Sequence, residues 1–166
     1  MRISTLLVPA ICAATVAASP SWVPGQVAIN EEFKVPGKNP LYFCQDPKDD
    51  ILKIESVDLD PNPPEPGKTL TIKASGDFKE AVEQGAKVHL QVKYGLITLI
   101  NQQSDLCDVI DNVDLKCPLD KGEMALTKDV SLPKEIPPGT YTVLADVYTK
   151  DEDKITCLTA KISFHR

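Results

Sequence analysis

Aromatic side chains are scarce in this 166-residue sequence, at 5%, so whatever core forms must be mainly aliphatic and sugar-binding platforms have little to draw on. Positive net charge is lacking too. A balance of −6 argues against nucleic acid, whose phosphates demand a basic surface, and against purely electrostatic adhesion to anionic membranes. There is no GxGxxG or GxxxxGKS stretch, so nucleotide binding has no support. Neither CxxC nor histidine spacing is present to build a tetrahedral metal cage, and no Asn-x-Ser/Thr sequon occurs.

Catalytic constellations are missing in the same way. The two histidines, His89 and His165, lie on a polar strand face and next to the C-terminal residue. No serine or cysteine has a base partner by motif. Asp49-Asp50, Asp58 and Asp60 read as solvated surface rather than as a working acid pair. The expectation is a non-enzyme with no metal and no cofactor.

Long hydrophobic runs are also absent, with one near miss at the start. Arg2 precedes an apolar or small-residue run from Ile3 to Ala18, and Val16-Ala17-Ala18 offers small residues to a signal peptidase. The run falls short of the roughly 20 apolar residues of a bilayer span. Residues 1–18 are therefore expected to be a signal peptide and the mature chain soluble. Residues 19–38 contain Pro20, Pro24, Gly25, Pro36, Gly37 and Trp22 without periodicity, and read as a pro-segment or flexible tail before a domain at 39–166.

Proline, by contrast, is frequent (14), which suits short strands and turns rather than long helices. Ile54 to Leu59 alternates and stops at Pro61 to Gly67. Leu70, Ile72 and Ala74 follow, then Val88, Leu90, Val92 and Tyr94 against His89, Gln91 and Lys93. Leu96 to Ile100 is apolar on nearly both faces. Leu126, Val130 and Leu132 mark another strand, Ile136 to Gly139 a turn, and Asp151 to Asp153 a polar hairpin turn. Tyr141, Val143, Ala145 and Val147, then Leu158, Ala160, Ile162 and Phe164, form the last inward faces. Phe78 to Gln84 is the one helical candidate. The pattern predicts an all-β fold, an immunoglobulin-like β-sandwich of about seven strands.

With Cys12 inside the targeting segment, Cys44, Cys107, Cys117 and Cys157 remain, an even set whose secretory context implies two disulfides out of three possible pairings. The ten-position spacing of Cys107 and Cys117 suits a local clip, which leaves Cys44 to tie the start of the domain to Cys157 in the last strand.

Taken in order, these features resemble the ML lipid-recognition family, which includes a lysosomal sterol carrier of the Niemann–Pick type C kind. The parts are Cys44 before Ile51-Leu52-Lys53-Ile54, the Asp60-Pro61 stop, and Gly67-Lys68-Thr69-Leu70. Gly95 to Ile100, Cys107 with Cys117-Pro118, Pro138-Gly139-Thr140-Tyr141, and Cys157 complete the series, which runs from about Leu41 to Phe164. The segment before Cys44, with Asn39-Pro40-Leu41, is similar to the fungal branch of phosphatidylglycerol/phosphatidylinositol transfer proteins. The animal sterol carriers have an extra cysteine pair where this chain has Pro61 to Gly67. That difference weakens any carry-over of sterol specificity.

By alternation alone, the inward faces build a plain core. The resemblance implies instead a lipid cavity between splayed sheets, lined from Leu70, Ile72, Val88, Leu90, Val92, Tyr141, Val143, Val147, Leu158, Ile162 and Phe164. It also implies a cavity mouth at Leu96, Ile97, Leu99 and Ile100 with Pro137 and Pro138, where period alone reads a buried strand. The expected role is a lumenal carrier of a sterol or phospholipid, monomeric, in the secretory pathway, a vacuole-like lumen or outside the cell. Its partners would be one lipid, a membrane touched transiently and a membrane lipid-transport receptor, with no nucleic acid. The alternative is a secreted protein-interaction module with a filled core.

Overall fold

The structure, a computed structural model, describes residues 31–111 and 115–165; the expected signal peptide at 1–18 and residues 19–30 of the expected pro-segment lie outside the described residues. Among the described residues eight strands form two antiparallel sheets. Strands β1 (Leu41–Phe43), β8 (Lys154–Phe164), β7 (Gly139–Tyr148), β4 (Lys87–Tyr94) and β5 (Ile97–Asp105) build one sheet in that order. The other contains β2 (Leu52–Asp60), β3 (Thr69–Phe78) and β6 (Gly122–Ser131). Seven of these strands cover the strand runs read from the sequence, six of them alternating and the seventh, β5, the apolar run at Leu96 to Ile100. The eighth, β1, has only three residues, too few for alternation to register.

The strands end where the backbone chemistry demands it. The proline-rich stretch after β2 supplies too few N–H donors to continue a ladder. Gly67, at a φ of +74°, reverses the chain, and its N–H donates to the Pro133 carbonyl at 3.0 Å, lashing this loop to the end of β6.

Two expectations need correction. Phe78 to Gln84 is not helical: Phe78 ends β3, and Val82 exchanges 2.9 Å backbone hydrogen bonds with Leu119 while fully buried. The short helix α1 is instead Leu106–Ile110, where Asp105 caps the N-terminus by accepting from the Cys107 N–H at 2.9 Å. Nor is the segment before residue 39 wholly loose. Val35 is 1% exposed and packs with Phe43 and Val57, and Lys34 bridges to Tyr42. The buried Asn39 amide fastens this segment, its Nδ2 donating to the Val57 carbonyl at 2.7 Å and the Pro36 carbonyl at 3.1 Å. Its Oδ1 accepts from the Leu41 N–H at 2.8 Å. A lone asparagine carries no periodic pattern, so the sequence reading passed over it.

Hydrophobic packing falls into two separate clusters. One gathers Ile51, Phe78, Val82, Ala86, Ile110, Leu119, Val147 and Ile155 at the end of the sandwich where α1 lies. The other, Val35, Phe43 and Val57 with Leu59, Ala74 and Leu158, joins β1 and β8 to β2 and β3 along one side. Disulfides link Cys44 to Cys157 and Cys107 to Cys117, fixing β1 to β8 and clamping α1 to the loop before β6. Among the described residues no helix is long and apolar enough to cross a membrane.

Candidate functional site

Strand register decides which side chains meet between the sheets. Val88, Leu90, Val92 and Tyr94 of β4 sit opposite Val147, Ala145, Val143 and Tyr141 of β7. Those β7 residues pair in turn with Thr156, Leu158, Ala160 and Ile162 of β8. Because Val88 and Val147 pack with Phe78 of the other sheet, this whole row faces inward. In the three-stranded sheet Leu59, Ile72 and Lys128 share one row, Val57, Ala74 and Leu126 the next, and Leu70 pairs with Val130.

The eleven residues expected to line a cavity do not share one environment. Val88 and Val147 belong to the packed end, and Leu158 to the side cluster. Leu70 is buried but joins neither cluster. Ile72, Leu90, Val92, Tyr141, Val143, Ile162 and Phe164 are only half-buried and also join neither. In a closed sandwich, inward aliphatics interdigitate across about 10 Å and lose nearly all contact with solvent. Here a central set of apolar inner-face side chains stays accessible while the α1 end and one long side are filled. Packing thus supplies a floor and a wall, with an uncovered apolar interior above them.

The opposite end is organised by aromatic rings. Tyr94 and Tyr141 have centroids 5.1 Å apart, and Phe164 meets Tyr141 edge-on at 5.5 Å. Tyr94 donates its hydroxyl to the Pro138 carbonyl and Tyr141 to the Pro137 carbonyl, each at 3.0 Å. The Gly95 N–H donates to the Thr140 carbonyl at 3.0 Å, so the β4–β5 hairpin and the turn before β7 form one rim. Gly139, at a φ of +148°, lies against the Tyr94 ring where any Cβ would overlap it. On this rim Leu96 is 100% exposed, Ile97 63%, Leu99 54% and Ile100 40%, values incompatible with a buried strand. Pro137 and Pro138 are exposed beside them. Six apolar residues in open contact with water form a patch that calls for a partner surface.

Sequence reasoning did not place Tyr94, Ala145 or Leu126 in the site, although their alternation with the chosen residues was the available clue. Lys128 escaped notice for a different reason: a charge on an inward row breaks the pattern by which inward rows are found.

The outer face of the five-stranded sheet is chemically distinct. A groove of about 910 Å³ there is lined by Lys87, His89, Asn101, Asp146 and Tyr148 among others, polar groups poorly suited to acyl chains. His89 Nε2 and Asn101 Oδ1 lie 2.6 Å apart, Tyr148 donates to Asp146 at 2.6 Å, and Lys154 Nζ lies 3.4 Å from Asp146. The hydrogen bond to Asp146, with burial, holds the Tyr148 hydroxyl above its ordinary pKa. Burial opposes charge on Lys154, but contacts with Tyr148 and Asp146 outweigh it and raise its pKa. Nearby Asp50 is pushed up by burial, against the pull of Lys154 and Lys79. These shifts belong to a structural network on the outer side of the five-stranded sheet.

Similarity to known proteins fits this geometry. The ML domain family matches residues 38–164. The phosphatidylglycerol/phosphatidylinositol transfer protein of Aspergillus fumigatus is 68% identical over 130 residues, covering 78% of this chain and 74% of its own length. Its namesake from Neurospora crassa is 55% identical over 169 residues, covering 100% of this chain and 95% of its own. Among solved structures, the C-terminal domain of wzt aligns with a TM-score of 0.50 at 12% identity, over 79% of this chain and 82% of that one, a likeness of fold alone. Because the match spans both sheets and both disulfides, and relatives this similar cover the chain, the protein belongs to the ML domain family.

Proposed function

We propose that this chain is a non-catalytic lipid carrier that shelters the apolar part of one lipid between its sheets. The observation that carries the reading is the row of half-buried inner aliphatics, Ile72, Leu90, Val92, Val143 and Ile162, left outside both packed clusters. An aliphatic lining suits acyl chains or a sterol ring system, each buried CH₂ contributing about 0.8 kcal/mol. The transfer activity in the relatives' names supports the phospholipid choice. Carriage needs no covalent step: burial in the protein must roughly match burial in a bilayer, so that loading and release are both accessible.

The rim of Leu96, Ile97, Leu99 and Ile100 with Pro137 and Pro138 is the part that touches membrane during loading. Its exposed apolar area substitutes for the basic surface this acidic chain lacks. Two disulfides fit an oxidising compartment, in keeping with work in the secretory pathway, a vacuole-like lumen or the exterior.

Native mass spectrometry after incubation with mixed liposomes, paired with a vesicle-to-vesicle transfer assay, tests the reading. The expected result is a one-to-one complex with lipid and accelerated transfer. A protein recovered free of lipid that moves none between vesicles would defeat it.

A further inference from the structure

Apolar contact alone does not decide which way a molecule leans on a membrane; the charges around the contact do. On the outer face of the five-stranded sheet, the charged row nearest the rim runs Lys93, Thr142, Lys161, with Thr98 at the β5 edge. Parity turns these side chains outward, because Tyr94, Tyr141 and Ile162 beside them belong to the inner row. Two strand spacings, about 10 Å, separate the lysines. Lys161 is exposed and Lys93 half-buried, and neither makes an ion pair among the described residues. Between this row and the rim lie Thr140 and Ser163, uncharged and with hydroxyls 3.0 Å apart. The nearest acidic residue on the strands of that face is Asp146, four residues along β7 and about 14 Å away, where Lys154 meets it. Glu31 stands at the far edge, accepting from the Tyr42 hydroxyl.

The three-stranded sheet carries the opposite sign at the same end. Its outer row there is Asp60, Thr71 and Asp129, and Lys68 beyond it is paired with Glu65. Lys134 and Glu135, between β6 and β7, offset one another in charge. The rim therefore has a cationic flank and an anionic flank, on a chain whose net charge is −6. Depth matches as well. The Lys93 row lies two residues of extended strand, about 7 Å, below the Gly95–Leu96 tip. Apolar groups at a membrane surface sink about 5–10 Å into the boundary of headgroups and acyl chains, so a seated rim brings both ammonium groups level with lipid phosphates.

We propose that Lys93 and Lys161 dock the rim on an anionic phospholipid bilayer, with the outer face of the five-stranded sheet leaning toward the headgroups and the three-stranded sheet tilted away. The proposal rests on the carrier reading, which brings the rim to a membrane, and adds the orientation. Each lysine gains from the negative surface potential. Asp60 and Asp129 escape it, because the outer faces are separated by more than the roughly 10 Å between stacked sheets, beyond a Debye length of about 8 Å.

The test is flotation with vesicles of phosphatidylcholine alone or mixed with phosphatidylserine, with lipid transfer measured alongside. The proteins are the wild type, Lys93→Gln, Lys161→Gln, the double variant and Lys73→Gln, which removes a lysine from the outer face of the three-stranded sheet. The wild type should bind the anionic vesicles more tightly, and each rim lysine removed should weaken that binding about fivefold. Lys73→Gln should bind as the wild type does, and circular dichroism should report one fold throughout. Equal losses from Lys73→Gln and from the rim lysines would reduce the effect to net charge and overturn the orientation. Undiminished binding by the folded double variant, with lipid still transferred, would overturn the assignment of the two lysines and leave the carrier reading standing. A wild type that floats with neither vesicle and moves no lipid would overturn both.

Discussion

The hydroxyl of Tyr94, at the end of β4, donates to the Pro138 carbonyl 3.0 Å away, so a residue of the inner wall holds the loop that borders the opening. Gly139 makes this possible by leaving room for the ring. Tyr94→Phe should cost about 1 kcal/mol, the net worth of one such bond. Gly139→Ala should cost about 2–3 kcal/mol, since it adds overpacking to an unfavourable φ. Urea unfolding of the two variants beside the wild type checks the order; equal stabilities would remove the ring-to-loop contact as a structural element.

Rim and interior should fail in different ways. Leu99→Asp places a charge on the apolar patch and should slow loading from vesicles several-fold while leaving the melting temperature nearly unchanged. Val143→Trp fills space between the sheets, so lipid binding should fall without loss of fold. Transfer rate and bound-lipid stoichiometry, measured together, separate the two, and normal lipid uptake by both folded variants would refute the site.

Asn39 should behave as a structural residue of first rank despite its place before the first strand. Its amide satisfies the Val57 carbonyl in a buried contact and adds a second donor to the Pro36 carbonyl, which also accepts from the Val57 N–H; Asn39→Ala leaves the Val57 carbonyl without that donor, a loss of about 1–3 kcal/mol. Asn39→Asp should be at least as harmful, because a carboxylate has no N–H to offer. Protease sensitivity of the segment around Val35 would report release of that edge.

Asp50 gives the pH dependence a definite sign. Burial raises its pKa in the folded state, the cations Lys154 and Lys79 offsetting only part of the effect. The folded chain therefore holds this proton to a higher pH than the unfolded chain does. The contribution is present at low pH and lost as pH rises through the raised value. Subtracting the stability profile of Asp50→Asn from that of the wild type, from about pH 4 to about pH 8, isolates this group. Relative to the variant, the wild type should weaken toward neutrality; a difference that grows the other way would contradict the assignment.

Much of this architecture is legible in the sequence because strands announce themselves by period. Val88, Leu90 and Val92 alternate with polar partners, and their register with β7 follows that alternation. What period cannot express is the distance to the facing sheet. Val147 and Val143 lie on the same strand face, yet one is packed against Phe78 and the other belongs to neither cluster. Their difference arises from residues outside β7, Ile110, Leu119 and Ile155, that close one end only. Helix α1 was missed because five residues are too few for helical periodicity, and its position depends on the Asp105 cap and the Cys107–Cys117 bridge.

In the proposed carrier, the packed end at Val88, Val147 and Phe78 would also act as a gauge of molecular length. From Val88 to Tyr94 the wall of β4 rises six residues, about 20 Å at the pitch of an extended strand. A tail that reaches the floor before its headgroup settles at the opening must bend or protrude, and one that stops short leaves apolar surface unmatched. Among ligands of equal polarity, the closed end would therefore select by reach.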